Sequence, residues 1–183
     1  HATPSRAMGF CLFNAIAVAA RLALVKFHLE RVAIIDFDAH HGNGTQDCFE
    51  HEPGVLYLST HQRALYPGTG LATERGVGNI RNVLLPAGAG SELFRAAWRD
   101  VLLPELDDFR PQLVLISAGF DAHRADPLAQ LMLETDDYAW ITRQLLTIAQ
   151  RHANGRIVSA LEGGYDLVAL RESAVAHVRE LIG

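Results

Sequence analysis

The sequence lacks several features that would point to particular protein classes. Its 183 residues contain a single lysine, Lys26, with no cluster of basic residues, and the formal net charge is −5. Bulk electrostatics therefore give no support for binding to nucleic acid. No apolar run reaches the roughly 20 residues that cross a bilayer. There is no signal peptide either, so we expect no membrane partner.

Cysteine is equally scarce. Cys11 and Cys48 are far apart and form no CxxC pair, which favours a reduced, cytoplasmic setting over a disulfide framework. The composition is 49% hydrophobic and 20% charged, without repeats, and suits one globular domain with a substantial core. The chain begins with His1 rather than methionine, which indicates a piece of a longer protein.

Hydrophobic periodicity predicts strands that alternate with helices. The predicted strands span 32–37, 55–60, 82–86, 112–117 and 156–161, and the predicted helices 14–27, 45–50, 91–109, 135–152 and 167–181. We expect Asn14 to cap the first helix and Pro104 to bend the third. Such alternation is typical of a parallel, layered α/β sheet, in which ligands bind outside the carboxyl ends of the strands.

The most informative stretch is 36–44, DFDAHHGNG, which continues the first predicted strand into a loop. Alternate residues of a strand share a face, so Asp36, Asp38 and His40 should project to the same side. Burying these groups unpaired would be costly, and a bound divalent cation removes that cost. An acidic strand end that points into water is the alternative. The glycines that follow permit close backbone approach and favour a metal site.

Asp121 lies after another apolar strand, in SAGFDAHRADP. By itself it could be a turn former or a helix cap. Together, Asp38, His40 and Asp121 supply three protein ligands and leave one coordination position open, as in catalytic zinc sites. A metal held in this way can polarise a carbonyl and activate water. Two oxygens and one nitrogen also leave ferrous iron open as the metal.

Tyr165 follows two glycines at the end of the last predicted strand. Its hydroxyl could donate to a developing oxyanion, or it could be a boundary aromatic that faces water. Phe10 and Tyr66 could equally be core aromatics or pocket walls. The other histidines are expected to support the motifs (His41, His61, His123) or to lie at the surface (His28, His51, His152, His177).

Four motifs, DFDAHHGNGTQD, YPGTG, SAGFDAHRADPLA and LEGGYDL, occur in this order and resemble the zinc-dependent histone deacetylase superfamily. The similarity is greatest to class II and its bacterial relatives, including acetylpolyamine amidohydrolases. It implies an α/β fold, a three-layer parallel sheet of the arginase/deacetylase type. Residues 1–183 would form the C-terminal major part of one catalytic domain whose N-terminal portion is missing. The implied reaction is hydrolysis of an acylated amine, such as acetyl-lysine or an acetylpolyamine, and the oligomeric state is left open.

The resemblance also implies a role for each site residue. The zinc ligands would be Asp38, His40 and Asp121. His1 would be the general base and acid, Asn43 would orient it, and Tyr165 would help to polarise the acyl carbonyl. The substrate channel would be lined by Gly9, Phe10, Tyr66 and Gly164. A structural potassium ion would bind Asp36, Ser59 and backbone carbonyls of Asp38, His40 and Thr60, and the region around Phe49 resembles a second potassium site.

Two other functions stay open at the level of sequence. A manganese ureohydrolase of the arginase kind needs a second metal and further carboxylates, but His41, Gly42 and Asn43 follow His40. An inactive metal-stabilised scaffold or binding fragment would result if the missing portion is essential. Because no residue precedes His1 to fix its backbone, we expect a poorly placed imidazole and little activity from this segment alone.

Overall fold

A computed structural model describes residues 1–183, and every predicted element is present, although the third predicted helix is divided. The strands are β1 (Val32–Asp36), β2 (Val55–Gln62), β3 (Ile80–Leu85), β4 (Leu113–Ala118) and β5 (Ile157–Leu161). The helices are α1 (Ala15–Phe27), α2 (Asn43–Phe49), α3 (Ser91–Ala97), α4 (Leu103–Phe109), α5 (Thr135–His152) and α6 (Leu167–Ile182). As predicted, the Asn14 side chain caps α1, accepting a hydrogen bond from the Ala17 N–H.

The five strands form one parallel sheet in the order β3-β2-β1-β4-β5. β1 lies at its centre, and all of its residues are buried. This position explains the continuous apolar run of β1, because a parallel strand is covered on both faces. β1 pairs with β4 in parallel register, so the carboxyl ends of these two strands lie side by side.

Helices cover both faces of the sheet. On one face, Ile16 and Ala20 of α1 pack in a cluster with Val32 and Ile34 of β1. On the other face, the intervening β1 residues, Ala33 and Ile35, belong to a larger cluster to which α3, α4 and α5 contribute buried side chains. Successive residues of β1 therefore enter different cores. The predicted three-layer α/β architecture is confirmed.

The irregularity expected at Pro104 lies one turn earlier. A π-helical turn, Trp98–Leu102, separates α3 from α4, and the Leu103 N–H donates to the Trp98 carbonyl, five residues back. Pro104 then stands in the first turn of α4. Proline has no N–H to donate and its ring crowds the preceding turn, so the helix widens into a π-helical turn before the proline.

His177, expected at the surface, is buried between α5, α6 and β5. Its Nδ1 lies 2.6 Å from Thr142 Oγ1, and its Nε2 lies 2.8 Å from Ser159 Oγ. The Thr142 hydroxyl already donates to the Tyr138 carbonyl, so Nδ1 carries the ring proton and Nε2 accepts from Ser159. Burial lowers the pKa of His177 to about 4, so the ring is neutral at pH 7.

One edge of the sheet is formed by β5. Val158 and Leu161 on this strand are 54% and 63% exposed, respectively, unlike the fully buried central strand. An exposed apolar edge is a template for pairing with another strand. None of the helices combines the length and the hydropathy needed to span a bilayer.

Candidate metal and substrate site

Two carboxylates and one imidazole meet at the carboxyl edge of the sheet. Asp38 and His40 lie in the loop after β1, and Asp121 lies in the loop after β4. All three are buried, and their ligand-capable atoms lie within 4.8 Å of one another. The adjacency of β1 and β4 thus brings Asp121 beside Asp38 and His40, although His40 and Asp121 are 81 positions apart in the sequence.

Backbone N–H groups fix both carboxylates. Asp38 accepts from the N–H of Gly163 at Oδ2 and from the N–H of His40 at Oδ1, both at 2.8 Å. Asp121 Oδ1 accepts from the Ala39 N–H at 2.8 Å, which leaves Oδ2 facing His40 Nδ1 at 2.7 Å. The same nitrogen lies 3.2 Å from Asp38 Oδ1. One nitrogen and two sets of carboxylate oxygens therefore face a common point.

The electrostatics of this cluster favour a bound cation. Burial raises the pKa of Asp121 to about 7, and the neighbouring Asp38 carboxylate adds to the rise. Burial opposes protonation of His40, but hydrogen bonds to Asp121 and Asp38 outweigh it and raise its pKa to about 10. Two buried carboxylates that share one imidazole are a costly arrangement, which a divalent metal would stabilise while displacing any bound protons. The donor set, one nitrogen and two oxygens, fits a three-ligand zinc site.

Two glycines make room for the carboxylates. A side chain at Gly119 would collide with Asp38, and a side chain at Gly163 would collide with the carboxylates of both Asp121 and Asp38. The sequence reasoning noted the two glycines before Tyr165, of which Gly163 is the first, but missed Gly119. The signal was available, because Gly119 directly follows β4 and Gly163 comes two residues after β5.

His1 is held more firmly than its terminal position suggested. Its Nδ1 lies 2.9 Å from Asn43 Oδ1, and the Asn43 amide donates to its backbone carbonyl at 3.2 Å. Gly9 packs directly against the imidazole ring. The expectation of a poorly placed imidazole is therefore wrong, because contacts from Asn43 of α2 and from Gly9 hold the ring.

A cavity of about 410 Å³ opens beside these groups. Its wall consists of His1, Gly9, Phe10, His40, Leu65, Tyr66, Leu128 and Tyr165. Four of the predicted channel and catalytic residues, Phe10, Tyr66, Gly9 and Tyr165, thus surround one space with His1. The sequence reasoning missed Leu65 and Leu128, because an isolated leucine carries no signal of its own.

Gly164 lies outside this wall, contrary to expectation. It has a φ of +140° and packs against Phe120 and Leu170, so it shapes the turn that leads into Tyr165. Asp126, another residue that the sequence reasoning missed, holds that turn by accepting from the Tyr165 N–H at 2.8 Å and from the Leu128 N–H at 2.9 Å. One carboxylate therefore positions two residues of the cavity wall.

The predicted potassium ligands have protein partners. Asp36 Oδ2 accepts from the Tyr57 hydroxyl at 2.7 Å, and Oδ1 accepts from the Asp38 N–H at 3.1 Å. Ser59 Oγ lies 3.0 Å from His61 Nδ1. These contacts satisfy the side chains without an ion, so the structure does not support potassium here and the assignment stays a prediction.

Residues 1–181 match the family model described as the histone deacetylase domain. The chain is 42% identical over 187 residues to histone deacetylase 14, chloroplastic, of Arabidopsis thaliana, aligning with 100% of this chain and 44% of that protein. It is 40% identical over 188 residues to the histone deacetylase-like amidohydrolase of Pseudomonas aeruginosa, covering 100% and 50%. The crystal structure of the HDA15 HD domain aligns with a TM-score of 0.93 and 41% identity, covering 100% of this chain and 53% of that one. The chain thus spans about half the length of these relatives.

Proposed function

Because the chain belongs to the histone deacetylase family, we propose that the protein hydrolyses an acylated amine, with zinc held by Asp38, His40 and Asp121. The observation that carries this proposal is the position of the buried triad: His40 lies in the wall of a cavity that His1 and Tyr165 also line. When bound, zinc would supply a Lewis acid that polarises the acyl carbonyl and makes water more acidic. The roles of the chain's own residues follow from their contacts.

His1 is suited to move a proton. The Asn43 amide nitrogen donates to the His1 carbonyl, so Asn43 Oδ1 is the atom that accepts from the His1 ring. Nδ1 then carries the ring proton, and Nε2 keeps a lone pair. This tautomer can take a proton from the attacking water and return it to the leaving amine. Asn43 acts as a positioning residue.

Tyr165 is suited to donate a hydrogen bond. Burial, with the nearby Asp121 and Asp38 carboxylates, raises its pKa to about 12, so the phenol keeps its proton at pH 7. The ring lies in the cavity wall, 6.2 Å from Phe10 between ring centroids. A phenol held in this position can stabilise an oxyanion that develops on the acyl carbonyl.

The cavity wall favours an aliphatic acyl-lysine side chain over an acetylpolyamine. Phe10, Leu65, Tyr66 and Leu128 give the wall an apolar character, and no carboxylate is among its residues. The methylene groups of a lysine side chain gain from this contact. A second ammonium group of a polyamine within this wall would face apolar side chains, because the carboxylates of Asp36, Asp38 and Glu162 line the adjoining cavity instead. We therefore propose an acetyl-lysine-type substrate.

The test compares deacetylation of an acetyl-lysine peptide and an acetylated polyamine by the full-length zinc-loaded protein. We expect the peptide to have the higher kcat/KM. His1→Ala should lower kcat by roughly 10²–10⁴-fold, the contribution of a general base. His51→Ala is the matched control, because the His51 side chain is 85% exposed and lies outside the cavity wall, so this variant should leave kcat unchanged.

Each alternative predicts a different outcome. Turnover of neither substrate by folded, zinc-loaded protein would favour the inactive scaffold. Two tightly bound manganese ions per chain would favour a ureohydrolase. Full activity only with ferrous iron would replace zinc and leave the assignment of the ligands intact. Equal kcat for wild type and His1→Ala would remove His1 from the proton-transfer role.

A further inference from the structure

Three backbone carbonyls converge on one side-chain nitrogen at the turn between α2 and β2. Asn79 Nδ2 lies 2.7 Å from the oxygen of Phe49, 3.0 Å from that of Glu52 and 2.8 Å from that of Val55. The family resemblance implied a potassium ion around Phe49. We propose that the Asn79 amide occupies the place of that cation, so that this chain closes the turn without an ion.

The orientation of the amide is fixed by the three carbonyls. Carbonyl oxygens can only accept, so the nitrogen of the Asn79 amide faces them. Asn79 Oδ1, at the other end, lies 3.2 Å from the Val77 N–H, which also donates to the Glu50 carbonyl at 2.8 Å. The backbone also holds this residue, because the Asn79 carbonyl accepts from the Tyr57 N–H at 2.9 Å. Asn79 is 6% exposed. Its amide is therefore a built-in donor within the buried turn.

The carbonyls create a demand that either a cation or a donor can meet. Phe49 is the last residue of α2, and carbonyls at the C-terminal end of a helix carry partial negative charge. The Phe49 and Glu52 carbonyls each accept one backbone N–H, from Glu52 at 2.9 Å and from Val55 at 3.0 Å, and each keeps a second lone pair for Asn79 or a cation. Carbonyl oxygens can also replace the hydration shell of a potassium ion. An ion bound to all three oxygens would need the position of Nδ2, so the side chain and a cation exclude each other.

The substitution has a functional consequence for the protein's ion dependence. The turn joins the C-terminal end of α2 to the start of β2, and Asn79 directly precedes β3. α2 begins with Asn43, which holds His1. The placement of His1 therefore depends on a turn that an amide closes, and we expect this part of the fold to be insensitive to potassium.

The decisive variants are Asn79→Asp, which keeps the size but replaces the two N–H donors with a carboxylate, and Asn79→Ala, which empties the position. In the full-length protein in choline chloride, each should lower Tm by roughly 4–8 °C, since several buried carbonyls lose a donor. Replacing choline with potassium at equal ionic strength should restore much of the loss. Asn79→Asp should also bind one more thallous ion per chain than wild type, with thallium serving as a potassium probe.

Asn14→Ala is the matched control, because Asn14 is also an asparagine whose amide donates to a backbone carbonyl, that of Ala2. It should lower Tm equally in both salts. Any cation bound at Asp36 is common to all variants, so it does not affect the differences in Tm or in thallous-ion count between them. Variants that unfold in choline and fold in potassium support the proposal. Equal thallous-ion counts in wild type and Asn79→Asp, or a loss of Tm that potassium does not reduce, would overturn it.

Discussion

Acid should weaken the fold through His177, and a single substitution should remove this effect. The ring is neutral and buried between α5, α6 and β5, where Thr142 and Ser159 satisfy both nitrogens. Protonation would put a proton on Nε2, which accepts from Ser159, and would place a charge against Phe37 and Phe120, whose ring centroids lie 6.0 and 5.8 Å away. These aromatics directly precede Asp38 and Asp121 in the sequence, so the effect reaches the wall beneath the metal ligands.

The magnitude follows from the pKa of the two states. His177 has a pKa of 6.5 in the unfolded chain and about 4 in the fold. Between these values the unfolded chain binds more protons, so the free energy of unfolding falls as the pH falls from 6.5 toward 4. From pH 7 to pH 5 this residue should lower the free energy of unfolding by about 2 kcal/mol.

Urea unfolding of the full-length protein and of His177→Gln at pH 7, 6 and 5 measures this contribution. Glutamine can hydrogen-bond to both hydroxyls but does not titrate. The wild type should lose about 2 kcal/mol more than His177→Gln between pH 7 and pH 5, because every other titrating group is common to both proteins. Parallel pH dependence of the two proteins would refute a neutral, buried His177.

Three further perturbations test the site and the core. Asp121→Ala should release most of the one divalent metal ion expected per folded chain, measured by metal analysis after gel filtration, because it removes one of three protein ligands; full retention would contradict the ligand assignment. Tyr165→Phe in the full-length protein should lower kcat by roughly 10²–10³-fold with zinc retained; an unchanged kcat would return Tyr165 to a packing role. The Tyr138 hydroxyl is buried without a hydrogen-bond partner, so Tyr138→Phe should leave Tm unchanged or raise it; a clear loss of Tm would reveal a hidden partner.

Patterns with a strong physical cause were predictable from the sequence. The central strands stand out because a strand buried on both faces must be mostly apolar, as Val32, Ala33, Ile34 and Ile35 of β1 show. The convergence of Asp38, His40 and Asp121 followed from one rule, that ligands gather at the carboxyl ends of adjacent strands. Both predictions needed only the hydrophobic periodicity of the strands and the polar residues that follow each strand.

Features that depend on contacts between residues distant in the sequence could not be predicted from local patterns. The burial of His177 depends on which face of α6 packs against α5. Because histidine is a polar residue, the sequence alone predicted that it lies at the surface. The contact between Asn43 and His1 joins residues 42 positions apart, so no pattern near His1 indicates that its imidazole ring is held in place. Likewise, no local pattern indicates that Asn79 reaches carbonyls 24 to 30 positions earlier in the chain.

The loop after β5 connects metal occupancy to the dynamics of the last strand. Its Gly163 N–H binds Asp38, and its backbone passes so close to Asp121 that no side chain fits. A metal that orders these carboxylates would therefore also hold the loop, and with it the register of β5 on β4. Thermodynamic linkage then requires that a docked β5 increase metal affinity. Chelation should accelerate amide hydrogen exchange in β5 more than in β2, although β5 supplies no metal ligand.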